Sequence, residues 1–132
     1  MIIKGVLSVQ DAQRGLWAGV DGIVLSHHNN RIEYAVPPLM AISDIYDVVG
    51  GVAEIFVDDE IATGMDAFKA IALGAAGVCV GRPLMTALKE EKAEGVRKYL
   101  ENMRQELAYV MACTGCAQLG DIEESIISEK WF

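Results

Sequence analysis

Residues 23–31 read Ile23-Val24-Leu25-Ser26-His27-His28-Asn29-Asn30-Arg31. Within this stretch an apolar run gives way to a hydroxyl, two imidazoles, two amides and a guanidinium. That order is typical of a buried strand that delivers polar side chains at its carboxyl end. The chain contains only two histidines, and both lie here. We therefore expect the chemistry of the protein to lie at the end of this strand.

Short apolar segments of the same kind recur along the chain, with helix signals between them. We predict strands at residues 2–3, 23–25, 53–57 and 78–80. We predict helices at about residues 9–18, 37–49, 64–73, 83–89 and 94–112. Ser8 and Thr63 are predicted N-caps, and Asp11 completes a capping box with Ser8. Apolar strands that alternate with helices predict a parallel sheet flanked by helices.

The sequence also repeats itself at an offset of 55 positions. This offset pairs Ser8 with Thr63, Asp11 with Asp66, Ala12 with Ala67, Gly19 with Gly74 and Gly22 with Gly77. Because a cap, a helix, a glycine stop and a strand recur in register, the offset favours structural duplication. Four βα units of this kind are half of a (β/α)8 barrel. The competing architecture, a flavodoxin-like doubly wound sheet, usually has a fifth strand.

We therefore predict an α/β fold in which residues 1–132 form one domain, half of a TIM barrel. The four βα units occupy about residues 1–93, and extra carboxyl-terminal helices occupy about residues 94–132. Half a barrel leaves two edge strands unpaired, which invites association. We expect a homo-oligomer or a complementary amino-terminal half-barrel to cover these edges. A flattened four-stranded sheet is the remaining possibility.

Charge and composition narrow the class of protein. The formal net charge of -8 argues against nucleic acid and anionic membranes as partners. No apolar run approaches the roughly 20 residues that span a bilayer, and residues 1–5 lack the pattern of a signal peptide. We therefore expect a cytoplasmic protein. Cys113 and Cys116 have CxxC spacing, but no second pair completes a structural zinc site, so no metal is predicted.

Polar residues follow every predicted strand: Lys4, the Ser26–Arg31 stretch, the acids Asp58, Asp59 and Glu60, and the pair Gly81-Arg82. In a barrel, all four strand ends face one rim, where active sites lie. His28 can take a proton near neutral pH, and Arg31 offers a planar fork for a carboxylate. A base beside a carboxylate clamp suits proton removal from the carbon next to an acid group. The loops after the last strands are common phosphate sites.

These residues carry a family resemblance. The motifs are Ile3-Lys4-Gly5-Val6, Gly22-Ile23-Val24-Leu25-Ser26-x-His28-x-x-Arg31, Asp66-x-Phe68-Lys69-Ala70-x-Ala72-Leu73-Gly74-Ala75 and Gly81-Arg82-Pro83. In order and spacing they resemble the carboxyl-terminal half of the FMN-dependent 2-hydroxy acid oxidases and dehydrogenases, a family that includes glycolate oxidase and lactate oxidase. The resemblance covers almost the whole chain.

The resemblance implies roles for the residues at the rim. His28 matches the histidine that takes the substrate's proton while a hydride equivalent reaches the flavin. Arg31 matches the arginine that binds the substrate carboxylate. Lys4 matches the lysine near the flavin N1 and O2 atoms, and Ser26 matches a serine that contacts the flavin.

The resemblance also places the flavin phosphate. Asp58, Asp59 and Glu60 form the loop along the ribityl phosphate, and Gly81-Arg82 matches the phosphate-binding pair. The family usually reads Asp-Gly-Gly-Val-Arg-x-Gly in this loop, so two glycines are acids here and the arginine is Ala62. Because carboxylates repel a phosphate, we expect them to weaken FMN binding.

A second departure lies in the stretch that opens this section. The family usually reads Ser-Asn-His-Gly-Gly-Arg, whereas this chain has His27, Asn29 and Asn30 at the Asn and Gly positions. Asn tolerates positive φ better than most residues, so the turn can survive. His27 is either an alternative base or polar filler, and we favour filler. The family's other half supplies strands over the flavin ring, substrate-contacting tyrosines and the aspartate that orients the histidine.

Two functions follow as hypotheses. The first is FMN-dependent oxidation of a small (S)-2-hydroxy acid to the 2-keto acid, with this chain as the carboxyl-terminal half of the catalytic barrel. The second is a cofactor-free, vestigial half-barrel that acts as an oligomerisation or partner module. The acidic loop favours the second, and the retained Lys4, His28, Arg31 and Arg82 favour the first. A binder of some other phosphate ligand at the same rim is a third, weaker possibility.

Overall fold

A computed structural model of the chain describes residues 1–31 and 33–127. The strands are β1 (Ile2–Val6), β2 (Gly22–Leu25), β3 (Glu54–Val57) and β4 (Gly77–Val78). The helices are α1 (Val9–Trp17), α2 (Pro38–Val49), α3 (Gly64–Ala72) and α4 (Arg82–Thr114), and two 3-10 turns follow at Leu119–Asp121 and Glu124–Ile126. Residues 128–132 of the predicted carboxyl-terminal helical region, and Ile32 of the polar loop, lie outside the described residues.

The four strands form one parallel sheet in the order β1-β2-β3-β4. Ile23 stands at the centre of the register, opposite Ile3 on one side and Ile55 on the other. A doubly wound sheet changes direction at a switch point, whereas a barrel adds strands in sequence order. The sequential order therefore confirms the predicted half-barrel and excludes the flavodoxin-like alternative.

The predicted duplication is visible in the helices. Helix α1 (Val9–Trp17) and helix α3 (Gly64–Ala72) each have 9 residues and begin at positions related by the offset seen in the sequence. The hydroxyl of Ser8 accepts a hydrogen bond from the backbone of Asp11 at 3.2 Å, and that of Thr63 accepts from Asp66 at 3.1 Å. The glycine stops, Gly19 and Gly74, both have left-handed φ values, of 76° and 108°.

Only the second of the two caps is reciprocal. The Asp66 carboxylate accepts the backbone N–H groups of Ala62 and Thr63 at 3.1 and 2.9 Å. Burial raises the pKa of Asp66, but the Thr63 hydroxyl and these two amides outweigh it, so the pKa lies below its usual value. The capping box predicted at Ser8 is incomplete, because the Asp11 carboxylate binds Arg14 at 3.0 Å and the Ser8 hydroxyl instead.

The core lies between the sheet and the helices. Its largest fully buried side chains are Ile23 and Leu25 of β2, Val57 of β3, and Ile42, Ile45 and Val49 of α2. Each such side chain contributes about 1.5–3 kcal/mol through removal from water. A second cluster joins Phe68 and Ala72 of α3 to Leu107, Val110 and Met111 of α4. The core thus fixes the strands whose carboxyl ends carry the polar residues.

Helix α4 consists of two helical pieces. Glu91 and Lys92 have non-helical backbone angles, so a kink separates an amino-terminal part from the long part that packs on α3. This agrees with the two helices predicted at 83–89 and 94–112. Among residues 1–31 and 33–127, no helix is long and apolar enough to cross a membrane.

Candidate active site

Three of the predicted site residues meet at the carboxyl edge of the sheet. Lys4 is the central residue of β1, Ser26 follows β2 and Asp58 follows β3. The Lys4 ammonium donates to the Ser26 hydroxyl at 2.9 Å and forms an ion pair with the Asp58 carboxylate. The other Asp58 oxygen, Oδ1, is buried and has no hydrogen-bond partner in the part of the chain that the structure describes. The parallel sheet therefore brings together residues up to 54 positions apart.

Asp59 is held against the end of β2. Its Oδ2 accepts hydrogen bonds from the Ser26 hydroxyl at 3.0 Å and from the His27 backbone N–H at 2.7 Å. The same oxygen lies 3.0 Å from His27 Nδ1, and the side chains of His27 and Asp59 are only 4% and 7% exposed. The Asp59 backbone has φ 69°, which turns the residue out of the strand direction. Asp59 therefore already has partners within its own chain.

His28 occupies the open side of the same edge. Its backbone N–H donates to the Ser26 hydroxyl at 3.1 Å. Its ring lies directly against Gly5, because a Cβ atom at that glycine would come within 2.5 Å of His28 Cε1. Gly5 also has a left-handed φ of 98°, so the backbone geometry favours glycine there. The imidazole thus lies beside the residue that follows Lys4, on an exposed rim.

Arg31 lies further along the loop. It is exposed and makes no hydrogen bond or ion pair with residues 1–30 or 33–127. Its guanidinium is therefore not neutralised by a carboxylate of the described chain.

The predicted phosphate residues line a cavity of about 480 Å³. Its wall consists of Asn29, Asn30, the segment Asp58–Ala62 and the segment Cys79–Pro83. Helix α4 begins at Arg82 with Gly81 as its N-cap, and no atom lies within 4 Å of the place where a Gly81 Cβ would stand. The start of a helix favours an anion, through its free N–H groups and its dipole. Glu60 opposes this, since it adds a carboxylate to the same wall.

His27 is the site residue whose contacts the sequence did not reveal. We interpreted it as filler, and its burial agrees with that, but its ring also meets a buried carboxylate. The available signal was the simultaneous departure of positions 27 and 59 from the family pattern. Adjacent parallel strands end side by side, so those positions are neighbours in a barrel.

The comparison with known proteins identifies the family. The sequence model described as FMN-dependent dehydrogenase matches residues 1–129. The chain belongs to this family. Glycolate oxidase from Spinacia oleracea is 38% identical over 132 residues, which is 99% of this chain and 36% of that protein. L-lactate oxidase from Roseobacter sp. (strain GAI101) is 39% identical over 129 residues, which is 97% of this chain and 35% of that protein.

Solved structures of this FMN-dependent family have the same fold. A crystal structure of mandelate oxidase superposes with a TM-score of 0.89 and 42% identity, covering 92% of this chain and 36% of that one. Another structure, of a mandelate oxidase mutant, contains a monooxide FMN adduct. The chain thus spans about a third of the length of the relatives it matches. These findings confirm the predicted family and half-barrel, and FMN as the cofactor of the family.

Proposed function

We propose that this chain forms the carboxyl-terminal half of a catalytic barrel that oxidises a small (S)-2-hydroxy acid to the 2-keto acid with FMN. Family membership and relatives named as glycolate and L-lactate oxidases support this proposal. The observation that carries it is the position of His28, whose ring rests on Gly5 beside Lys4 at the carboxyl edge of the sheet. A general base thus lies next to a cation and on an open rim.

The residues present fit an FMN at both of its ends. Lys4 and Ser26 would hold the flavin ring, since the ammonium can donate to ring atoms and the hydroxyl is fixed beside it. Gly81 and Arg82 would hold the phosphate, with open space at the glycine and a helix N-terminus behind it. FMN, when bound, supplies the acceptor for the hydride equivalent.

The chain's own groups would act on the substrate. His28 would accept the hydroxyl proton at an imidazole nitrogen, and because it is exposed it can pass that proton to solvent. Arg31 would bind the carboxylate with two parallel hydrogen bonds, since no acid of the described chain occupies it. Loss of the hydroxyl proton to His28, and of the carbon-bound hydrogen as a hydride equivalent, converts the 2-hydroxy acid to the 2-keto acid.

The acids of loop 58–60 differ in their effect on a phosphate. Asp58 is neutralised by Lys4, and Asp59 is held by Ser26 and His27. Glu60 is exposed and lines the cavity with no partner among the described residues, so its charge is the one most free to repel an anion. We therefore attribute the expected weakening of FMN binding mainly to Glu60.

Replacing Glu60 by Gln is expected to tighten FMN binding by about three- to tenfold, because it removes one uncompensated charge near the phosphate. The change keeps the side-chain length at a residue whose φ is 59°. FMN affinity measured by flavin fluorescence at low salt checks this. Glu54→Gln, at the opposite end of β3, is the matched control and should leave the affinity unchanged. Equal affinities in all three proteins would contradict the electrostatic explanation.

The proposal as a whole is tested by titrating FMN into the full chain and following flavin absorbance and fluorescence. We expect saturable binding, and bleaching of the bound flavin under anaerobic conditions on addition of glycolate, lactate or mandelate. A chain that ignores FMN throughout the titration refutes the proposal for this chain. That result would instead favour a cofactor-free half-barrel acting as an oligomerisation or partner module. The carboxylates in the cavity wall are the observation in favour of that second function.

The sheet edges suggest a further partner. Within the described residues, β1 pairs only with β2 and β4 pairs only with β3, and Ile2 on β1 is 60% exposed. We expect these edges to be covered by a second copy or by a complementary amino-terminal half-barrel. Light scattering should show a mass above that of one chain, rising with concentration. A monomer at every concentration would exclude pairing between copies. A cytoplasmic location stays a prediction.

A further inference from the structure

Two residues that depart from the family pattern touch each other. His27 and Asp59 are 32 positions apart, yet His27 Nδ1 lies 3.0 Å from Asp59 Oδ2. Both side chains are almost completely buried, at 4% and 7% exposure. A buried carboxylate is costly unless donors surround it. The contact therefore places an imidazole nitrogen beside a carboxylate oxygen that also accepts from the Ser26 hydroxyl and the His27 backbone.

The position of the His27 proton follows from the two groups that face Nδ1. His27 Nδ1 lies between two groups, because the Asn30 backbone N–H points at it from 3.1 Å while Asp59 Oδ2 lies 3.0 Å away. One ring nitrogen cannot accept from the first and donate to the second at the same time. Asn30 is exposed, so its N–H can bind water instead of the ring nitrogen. An unprotonated Nδ1 would present its lone pair to the Asp59 oxygen at 3.0 Å, and this repulsion favours a proton on Nδ1.

The Asp59 carboxylate is hydrogen-bonded to the first two residues of the polar loop, and through Ser26 it is connected to the third. It accepts from the Ser26 hydroxyl and from the His27 backbone, and the Ser26 oxygen in turn accepts from the backbone of His28. The next residues of the loop have unfavourable backbone angles, with φ of 54° at His28, 60° at Asn29 and 58° at Asn30. Residues in this region persist where the surrounding structure holds them.

We propose that Asp59 and His27 form a carboxylate–imidazole pair that positions the loop carrying His28 and Arg31. The pair fixes the loop at its buried end, in place of the local glycines that would make such a turn easy. Its value for catalysis rests on the proposed function, through the roles given there to His28 and Arg31. The pair itself exists whether or not FMN binds, so it can be tested separately.

The first experiment locates the proton. The chain contains only two histidines, so histidine labelled with 15N gives two imidazole spin systems in the FMN-free protein. We expect the His27 ring to carry hydrogen on Nδ1, and to change to the Nε2–H tautomer in Asp59→Gly. The His28 ring should keep its tautomer in both proteins. A His27 ring with hydrogen only on Nε2, or one that ignores the substitution, overturns the proposal.

The second experiment measures the coupling. Thermal unfolding is compared for the wild type, His27→Asn, Asp59→Gly and the double variant. We expect the fall in melting temperature of the double variant to be smaller than the sum of the falls in the two single variants. This is because each single variant leaves one member of the pair without its partner. Relief of strain at φ 69° by glycine occurs in both backgrounds and cancels in the cycle. Glu60→Gly, which has a similar φ of 59° and no bond to His27, should be additive with His27→Asn. An additive cycle for Asp59 overturns the pair.

A third measurement separates positioning from simple stability. Asp59→Gly removes a negative charge beside the cavity, so FMN affinity should hold or rise. Turnover of the 2-hydroxy acid should fall by about ten- to a hundredfold, since misplacement of a base by a fraction of an ångström to an ångström has effects of this size. Unchanged turnover in both single variants would overturn the positioning role. No turnover in any protein, wild type included, would refute the proposed function and leave the first two experiments to decide the pair.

Discussion

Replacing Gly64 by Ala is expected to lower the free energy of unfolding by about 3 kcal/mol or more, one of the largest losses available in this chain. A Cβ atom at this position would lie 2.3 Å from the Met103 carbonyl oxygen and 2.4 Å from the Leu107 backbone nitrogen. Both are backbone atoms of α4, and neither can move without displacing the helix. The backbone N–H of Gly64 also donates to the Glu106 carboxylate at 2.8 Å.

Thermal or urea unfolding checks this prediction, with a fall in melting temperature of roughly 10 °C or more. Gly120→Ala is the matched control, because no atom lies within 4 Å of its added Cβ and its φ is not left-handed. The control should change stability by less than about 0.5 kcal/mol. If Gly64→Ala had the same melting temperature as Gly120→Ala, the close approach of α3 to α4 would not describe the folded protein.

The local features of the fold were predictable because each is fixed by neighbouring residues. Thr63 caps α3 with a hydroxyl three residues from its target, and Gly74 stops the same helix through its own backbone angle. The offset that relates α1 to α3 needs no tertiary information either. The capping box at Ser8 failed for an equally local reason, since Arg14 competes for the Asp11 carboxylate.

The features that escaped prediction depend on how distant segments meet. Gly64 is the last residue of the phosphate-loop motif, and the sequence predicts only that it begins helix α3 after the Thr63 cap. The structure shows in addition that α4 leaves no room for a side chain there. The acids of loop 58–60 could be read from the sequence as three equal charges near a phosphate. Their different partners, Lys4 for Asp58 and His27 for Asp59, appear only when the strand ends lie side by side.

Replacing His28 by Asn is expected to slow 2-hydroxy acid oxidation by about a hundred- to ten-thousandfold, the range typical of a lost general base. Asn suits this test because it tolerates the left-handed φ of 54° that His28 has, yet cannot take the proton at neutral pH. FMN affinity should stay unchanged, because Lys4, Ser26 and the Gly81-Arg82 pair are untouched. The measurement is the rate of anaerobic reduction of bound flavin by glycolate, lactate or mandelate, beside an FMN titration.

The control is Lys92→Asn, which introduces the same residue at a similar φ of 55°, in the kink of α4 and far along the chain from the rim. In this control, the three acids should reduce the bound flavin at the wild-type rate. A His28→Asn protein that matches this control would show that proton removal does not depend on His28. A wild-type chain that binds FMN but is reduced by none of the three acids would refute the proposed oxidation for this chain, and with it the role of His28.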